Sequence, residues 1–390
     1  MRQLVLYNPA TRMAARFGWG GKLVKAVLAL GQTLKIITSQ PDRKKCKVRR
    51  AQVLWEEAEK RGILMKELLL FGKPFDCYVA EKQHPSSSKI KDEGSRIIFS
   101  GLPRPAGYIN PWLDLMDDKW LFKKKLMAEG LPVPIGASCR SWGQAKQIFD
   151  KIQHQHKNEG SVGESANRRI GLPVSVIVKP RAGSRGRHST TFVTSLEELK
   201  ISFRIAKQLC YWVMVEQQLM GPVYRGTVIN FELAGVLRGD APQIISDGEN
   251  VINKLIEFKN QELCPGVKNI QADQQMERFL GRQNLTLTSV LPVGQTIYLS
   301  EKIGVNYGGS SSEDFAICHP DNRELFERAA KVLGDPLAGF DFIIPDIGKS
   351  WREQKCGFIE VNSLPFINLH HDPLLGAPRN VAGKVWDMLD

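Results

Sequence analysis

The chain has 390 residues, of which 42% are hydrophobic and 24% charged, so two or three globular domains are expected rather than a disordered chain. Its 54 Lys and Arg residues exceed its 41 Asp and Glu residues, and the formal charge of +13 favours anionic partners such as nucleotides, acidic peptides or nucleic acid. No run approaches the ~20 apolar residues that span a bilayer. The seven cysteines are scattered without a Cys-x-x-Cys pair, which disfavours zinc and predicts free thiols in a cytoplasmic protein without membrane contact.

Residues 1–112 are predicted to form a small α/β domain. Residues 48–61 have apolar side chains at helical spacing and precede Gly62, which predicts a helix with a glycine stop. The Pro- and Gly-rich stretch 101–107 can continue neither a helix nor a strand and indicates a domain boundary. Short apolar segments predict strands at 68–71, 77–79 and 97–99.

Beyond this boundary the chain continues as mixed helices and strands. Asp117 or Asp118 caps the first helix of this part and Gly130 ends it, and the polar stretch 154–169 is expected to be a flexible surface insertion. The predicted elements are helices at 118–129, 141–152 and 196–209 and strands at 174–178 and 212–216.

The remainder of the chain, after the strand at 212–216, is rich in strands. Pro320 at the first helical position and Gly334 past the last predict a helix over 320–333. The other predictions are a hairpin of strands 228–233 and 235–238, a helix at 251–258, and strands at 340–344 and 357–362. The alternation of helices and strands predicts an α/β or α+β enzyme-like fold.

Asp341, Glu360 and Asn362 are the most informative group of polar residues. If their two strands pair as a hairpin, Asp341 lies opposite Glu360, and Asn362 points to the same face as Glu360 because side chains in a strand alternate with period two. Three oxygen ligands then converge, which is the donor set that Mg²⁺ prefers. The alternative, ordinary acids on a solvated sheet face, is disfavoured by the apolar residues that flank them.

Lys179 and the glycine-rich loop 183–186 follow the buried strand at 174–178. Glycines allow backbone N–H groups to approach phosphate oxygens, and Lys179 supplies a positive charge at the strand end. The spacing is not that of a P-loop. A mobile basic surface turn is an equally good interpretation of this loop, and Lys119 by itself is most simply a solvated lysine.

Several other polar residues are ambiguous by themselves. The end of the strand at 212–216 has the form of a hinge that presents backbone groups to adenine, and equally the form of any strand end. His370 and His371 follow the proposed metal strand, but adjacent histidines are typical of a protein surface. The sequence contains no nucleophile elbow that would indicate hydrolysis.

Taken in order, these segments resemble those of ATP-grasp ligases, most closely the ATP-grasp region of cyanophycin synthetases. The resemblance covers roughly residues 113–390, and the order and spacing of its segments are more specific than any single motif. Two positions depart from the family pattern, with Val223 where an acid is frequent and Phe366 where glycine is usual. The segments are Asp118-Lys119-Trp120, Val178-Lys179-Pro180, Val215-Glu216, Tyr224-Arg225, 248–256, Phe340-Asp341 and Glu360-Val361-Asn362.

The resemblance implies an ATP-grasp fold of two subdomains, 113–215 and 216–390, with ATP between them and the small α/β domain in front. It assigns the phosphates to Lys119 and Lys179, covered by Gly183, Ser184, Arg185 and Gly186. It assigns adenine to Glu216, Gln217, Gln218 and Leu219. It assigns Mg²⁺ to Asp341, Glu360 and Asn362, with two ions expected and Mn²⁺ as an alternative. Arg225 and Arg238 would be catalytic residues that face phosphate or substrate carboxylates.

The implied activity is ATP-dependent formation of an amide bond between a carboxylate, from an amino acid or peptide, and an amine, through an acyl phosphate. The alternatives are an enzyme of the D-alanine-ligase or glutathione-synthetase type, and a non-catalytic protein that binds nucleotides or nucleic acid. Nucleic acid is disfavoured because no basic run is interleaved with stacking aromatics. A homo-oligomeric state is left open.

Overall fold

The computed structural model describes residues 20–82, 96–99, 101–106, 116, 118–158, 174–182, 188–300 and 302–390. Within these ranges the strands form two sheets of four strands, one of five and one of two. No helix in the described ranges is long and apolar enough to cross a membrane.

The amino-terminal sheet has four antiparallel strands in the order β1-β2-β3-β4. The helix predicted at 48–61 is confirmed, because α2 buries one apolar face and is followed by Gly62 at φ +67°. Phe71 was expected in a strand, but it lies in a turn at φ 48° just beyond β2. The elements are α1 Gly20–Thr33, β1 Ile37–Gln40, α2 Arg49–Lys60, β2 Ile63–Leu70, β3 Lys73–Lys82 and β4 Arg96–Phe99.

The second sheet is also antiparallel, in the order β5-β8-β6-β7, and α4 and α5 pack on it. The prediction of a flexible insertion is wrong for residues 154–158, because α4 continues to Asn158. The Gln153 side chain exchanges two hydrogen bonds with the backbone of Val174 and fastens this end of the helix to the chain before β6. The elements are α3 Lys119–Ala128, β5 Gly136–Cys139, α4 Trp142–Asn158, β6 Val176–Pro180, β7 Thr190–Val193, α5 Leu196–Lys207 and β8 Val213–Gln217.

The third sheet has five antiparallel strands in the order β13-β10-β9-β14-β15. The strand predicted at 228–233 is wrong, because Asn230 and Phe231 form a turn at φ 53° and 63° between β9 and β10. The apolar residues on both sides of Asn230 hid this turn from the sequence analysis. The strands are β9 Val223–Ile229, β10 Glu232–Gly239, β13 Ser311–Glu313, β14 Leu337–Ile343 and β15 Gly357–Asn362.

One face of the third sheet packs on α8, Pro320–Leu333, whose bounds are those predicted and whose end is Gly334 at φ 64°. Phe326 of α8 meets Phe342 and Phe358 with ring centroids 5.5 Å apart. The same cluster takes in Phe122 and Leu126 of α3, so the apolar face of α3 packs on the third sheet, while Lys123 of the same helix reaches the second sheet at Glu216. The opposite face of the sheet carries polar side chains and, where Ile229 and Leu337 lie, apolar side chains of a second cluster.

A small two-stranded unit follows the third sheet's hairpin, with its own apolar cluster. The predicted turn before a helix is confirmed: Asp247 accepts hydrogen bonds from the backbone of Glu249 and Asn250, and α6 then begins at Ile252. The elements are β11 Gln243–Ile245, α6 Ile252–Gln261, α7 Gln274–Gly281 and β12 Thr296–Tyr298.

The last helices close the fold against the amino-terminal sheet. α9 is the single turn Asn368–His371, and α10 is Val381–Leu389. Trp386 of α10 donates a hydrogen bond to the carbonyl of Leu54 (2.9 Å) and meets Phe99 edge-on. One apolar cluster therefore joins α10 to α2 and the amino-terminal sheet. The domain boundaries proposed from the sequence stay a prediction.

Candidate active site

The strands β14 and β15 bring the proposed metal ligands together. Asp341 pairs directly with Glu360, as predicted, and Gly339 pairs with Asn362. The register then shifts by one residue, so that Phe342 pairs with Phe358 and Ile359 is the extra residue of a bulge. This bulge lets β15 bury both Phe358 and Val361 while Glu360 and Asn362 stay on the polar face.

Arg225 lies on β9 directly beside Asp341. Its Nε and Nη2 donate to the two oxygens of Asp341 at 2.8 and 2.9 Å. Such a two-pronged ion pair fixes both side chains. Three neighbouring strands therefore place Arg225, Asp341 and Glu360 side by side. The Arg225 guanidinium lies between the proposed metal ligands and the rest of the sheet.

Lys119 reaches the same row from α3. Its Nζ lies 3.5 Å from Glu360 Oε1, and the side chain is buried. Asp118 caps this helix by accepting hydrogen bonds from the backbone of Trp120 and Leu121, as predicted. Arg181, which follows β6, donates to both oxygens of Asp118. The helix start is thus tied to the second sheet, and Lys119 points from there to the third.

Glu216 of β8 is held between two lysines. Lys179 of β6 lies 2.8 Å from Glu216 Oε2, and Lys123 of α3 donates to Oε1. The side chains of Glu216 and Lys123 are each only 1% exposed. Two ammonium groups and one carboxylate are therefore enclosed where α3 meets the second sheet.

The protonation of this cluster follows from its charges. Burial by itself raises the pKa of Glu216, but the charges of Lys123 and Lys179 outweigh it and lower that pKa to about 2. Burial lowers the pKa of Lys123 to about 7, because the single carboxylate is shared with Lys179 and cannot compensate both ammonium groups. The cluster therefore stabilises a charged Glu216 and carries one excess positive charge when both lysines are protonated.

The strand end proposed for adenine is partly occupied by its own backbone contacts. The N–H of Gln217 donates to Ile135 and that of Gln218 to Ser175. The side-chain Oε1 of Gln218 is buried, and no hydrogen-bond donor reaches it within the described ranges. Leu219 is buried beside it. The lid residues Gly183, Ser184, Arg185 and Gly186 lie outside the described residues.

Arg238 lies on β10 opposite Tyr224, one row from Arg225, and is more exposed. Its Nε donates to Asp240 at 2.8 Å, and the second oxygen of Asp240 accepts from Ser310. Val223, at the start of β9, pairs with Gly239 and Ile343. Phe366 is 50% exposed, with the Arg50 guanidinium 5.1 Å from its ring centroid.

The expectation that His370 lies on the surface is wrong, because the residue is fully buried. Its Nδ1 contacts Glu313 of β13, and its Nε2 lies 2.7 Å from the hydroxyl of Thr227 on β9. Since a carboxylate accepts, Nδ1 donates to Glu313 and Nε2 accepts from Thr227 when the imidazole is neutral. The ring packs on Gly235, where a side chain would clash.

Sequence reasoning missed Lys123 and the Glu313–His370–Thr227 network. Lys123 follows Lys119 by four residues, and this spacing places both on one face of a helix, so a signal existed. Glu313 and His370 are 57 residues apart and come together only through the sheet and α9.

Comparison with known proteins identifies the fold. The chain is 30% identical over 283 residues to the cyanophycin synthetase of Trichormus variabilis and 32% identical over 285 residues to that of Synechocystis, each match covering 71% of this chain. A bifunctional glutathione synthetase from Pasteurella multocida superposes with a TM-score of 0.54 and 22% identity, covering 87% of this chain and 43% of that one. The chain has the ATP-grasp fold. No protein-family model matches it.

The resemblance of this ATP-grasp chain to cyanophycin synthetases, predicted from its motifs, is confirmed. The chain spans 29–30% of the length of these two relatives. A bifunctional glutathione biosynthesis protein from Clostridium perfringens is also similar, with 27% identity over 281 residues, 70% of this chain and 34% of that protein. The similarity thus lies in one segment of each longer relative.

Proposed function

We propose that the chain is an ATP-dependent ligase that joins the carboxylate of an amino acid or peptide to an amine. The observation that carries the proposal is the contact between Lys119 Nζ and Glu360 Oε1 at 3.5 Å. It places a lysine proposed for phosphate against a carboxylate proposed for Mg²⁺, on elements that pack against each other. The similarity to cyanophycin synthetases supports the same assignment.

The second sheet and α3 supply a site suited to a nucleoside triphosphate. Lys119 and Lys179 are buried cations, and phosphate oxygens are the anions they would meet. The buried Oε1 of Gln218 can accept a hydrogen bond from the amino group of adenine. Gly183, Ser184, Arg185 and Gly186 would cover the phosphates and exclude water.

Asp341, Glu360 and Asn362 fit a magnesium site. Their register puts two carboxylates and one amide on one face of the hairpin. Oxygen donors of this kind suit Mg²⁺. When bound there, Mg²⁺ neutralises phosphate charge. Two ions, with Mn²⁺ as a substitute, belong to the proposal.

The chemistry proposed for the site has two steps. A carboxylate oxygen of the first substrate attacks the γ-phosphorus of ATP, forms a bond to it and releases ADP. The amine of the second substrate then attacks the carbonyl carbon of the acyl phosphate, loses a proton and expels inorganic phosphate. Lys119 and Lys179 neutralise the transferring phosphoryl group, and Arg225 and Arg238 orient phosphate or substrate carboxylates.

The proposed reaction takes place in the cytoplasm, which suits the seven free cysteines. The proposal names the substrates only by chemical class: the acid and the amine are each an amino acid or a peptide. Val223 is the first residue of β9, which carries Arg225, and its apolar side chain is expected to affect the affinity for the nucleotide. Phe366 follows β15, which carries Asn362, and is expected to affect which substrates fit.

Trapping with hydroxylamine tests the reaction type. Acids and dipeptides that stimulate ADP release are identified first, and each is then incubated with ATP, Mg²⁺ and hydroxylamine in place of the amine. A ligase forms a hydroxamate together with ADP and inorganic phosphate in equal amounts. A stable phosphoester without hydroxamate would show that the protein is a kinase.

The similarity to glutathione biosynthesis proteins keeps a glutathione-synthetase-type acceptor as the second candidate. The same screen separates the two, because γ-glutamyl dipeptides with glycine would then stimulate ADP release and acidic or basic amino acids would not. Salt-sensitive binding of random oligonucleotides, with no ADP release by any acid, would favour a nucleic-acid-binding protein instead.

A further inference from the structure

The buried cluster of Lys123, Glu216 and Lys179 contains one lysine that the proposed reaction does not use. Lys119, Lys123 and Lys179 all lie near the junction of α3 with the second sheet, but their surroundings differ. Lys119 contacts the partly exposed Glu360, while the Lys123 side chain is 1% exposed and ends on Glu216. A ligand in the cleft therefore cannot contact Lys123 in this arrangement.

The second observation is that Glu216 has two oxygens and a lysine on each. Oε1 takes the hydrogen bond from Lys123, and Oε2 lies 2.8 Å from Lys179. If Lys123 were absent, the carboxylate and Lys179 would form a neutral pair. With Lys123 present and protonated, the cluster keeps an excess positive charge on the side where Lys179 ends.

We propose that Lys123 is a positioning residue for the nucleotide, which acts through Glu216 to keep Lys179 available to phosphate. The positive charge of Lys123 offsets part of the negative charge of Glu216. Glu216 can then hold the Lys179 side chain in place without fully neutralising the charge of Lys179. The inference rests on the proposed function, because it assumes that Lys179 faces phosphate. It concerns nucleotide binding and does not depend on which acid or amine is joined.

The electrostatics give the direction and scale of the effect. Removing one charge from an enclosed cluster lowers the local potential much more than removing it from a solvated surface. ATP should therefore bind about tenfold more weakly without the Lys123 charge. Adenosine, which has no phosphate, should bind as before, because the strand end at Gln218 is not altered.

Lys123→Gln is the most informative variant, since an amide can still donate to Glu216 Oε1 but carries no charge. Lys124→Gln is the matched control, because Lys124 is the next residue of α3 and is exposed. Lys123→Arg restores the charge. Calorimetry below pH 7, where Lys123 is protonated, would give the dissociation constants of ATP and adenosine for each protein, and thermal melting would report the fold.

The expected result is a loss of about tenfold in ATP affinity for Lys123→Gln, with adenosine affinity unchanged and both ligands unchanged for Lys124→Gln. Lys123→Arg should recover most of the ATP affinity. Equal ATP affinity in Lys123→Gln and the wild type would overturn the proposal, as would a parallel loss of adenosine binding. If Lys123→Gln fails to fold, the Lys123→Arg variant is the test, because it keeps the positive charge and should bind ATP nearly as well as the wild type does. ATP binding by Lys123→Arg that is more than about tenfold weaker than that of the wild type would contradict a role of the charge.

The test separates this inference from the proposed function. A wild-type protein that binds no ATP would contradict the proposed ligase itself. A wild-type protein that binds ATP, in which Lys123 can be replaced without effect, would contradict only the positioning role.

Discussion

Charged residues of the candidate site are each paired with an opposite charge in the structure. Asp341 is held by Arg225 and Glu216 by two lysines, and Glu360 lies beside Lys119. These partners fix the side chains in place, so that less reorganisation is needed when phosphate or a cation arrives. The same pairing makes single charge changes informative.

Replacing Glu360 by glutamine tests the proposed metal site. Glutamine has nearly the same shape but no charge, so the fold should persist while ATP turnover falls by at least about a hundredfold. Steady-state ADP release at limiting Mg²⁺ measures the effect, with the exposed Glu324→Gln on α8 as control. Turnover of the Glu360 variant at the wild-type rate would rule out this residue as a metal ligand.

The stability of the protein in acid should depend on Glu216. Its pKa is lowered from 4.5 to about 2 in the folded protein, so the stabilisation is present above pH 4.5 and is lost as the pH falls through 2. Glu216→Gln should reduce the free energy of unfolding by about 3 kcal/mol at neutral pH.

Urea denaturation of both proteins at neutral pH and at about pH 3 measures this difference. The difference should fall to about half or less at the lower pH, because Glu216 of the unfolded wild type is then protonated while that of the folded protein is still mostly ionised, and this proton uptake favours unfolding. A difference that stays constant with pH would mean that Glu216 is not held as a carboxylate by its lysines.

Among the elements, the five-stranded sheet matters most because its two faces have different tasks. Odd-numbered positions of β9 and β14 face the polar side, where Arg225 and Asp341 lie, while Phe340 and Phe342 face α8. The bulge at Ile359 restores this division in β15. The register of the strands therefore determines which side chains of the candidate site lie together.

Gly235 on β10 illustrates how tightly the polar face is packed. A Cβ atom there would lie 2.5 Å from Nδ1 of His370. Gly235→Ala should therefore displace the buried imidazole and lower the free energy of unfolding by roughly 1–3 kcal/mol.

Chemical denaturation tests this, with Gly281→Ala at the end of α7 as control, because a Cβ atom at Gly281 has no neighbour within 4 Å. The control should be neutral or slightly stabilising. Equal stability of the two variants would show that His370 can move without cost.

At the scale of the whole molecule, the amino-terminal sheet is not an independent appendage. Trp386 of α10 packs against Phe99 and donates to the Leu54 carbonyl, and the same cluster includes Ile229 and Leu337 from the third sheet. Arg104 adds a buried ion pair with Asp335. The domain in front of the ATP-grasp region is therefore fastened to the sheet that carries the candidate metal ligands.

Trp386→Ala should loosen this attachment, since removing a fully buried tryptophan costs roughly 3–5 kcal/mol. A lower melting temperature and faster proteolysis of the amino-terminal domain are expected. Trp386→Phe keeps most of the packing and should lose only the hydrogen bond, about 1 kcal/mol. Proteolysis at the wild-type rate in Trp386→Ala would show that the two parts are held together elsewhere.

Local signals accounted for the elements predicted correctly. Pro320 and Gly334 delimit α8, and the spacing of Asp341 and Glu360 predicted their pairing. The turn at Asn230 was missed because it lies within an apolar run, where sequence alone does not distinguish a long strand from a tight hairpin. His370 was misjudged because its partners, Glu313 and Thr227, are far from it in sequence.

The sequence by itself determined the order of the motifs and the hairpin of Asp341 and Glu360, because these depend on local propensities and on spacing along the chain, and its resemblance to ATP-grasp ligases indicated the fold family. Only the tertiary structure decided which charges meet. The enclosure of Lys123 and Lys179 around Glu216, the pairing of Arg225 with Asp341 and the burial of His370 depend on how helices pack on sheets. Burial strengthens such ion pairs, and burial is set by the whole fold rather than by neighbouring residues.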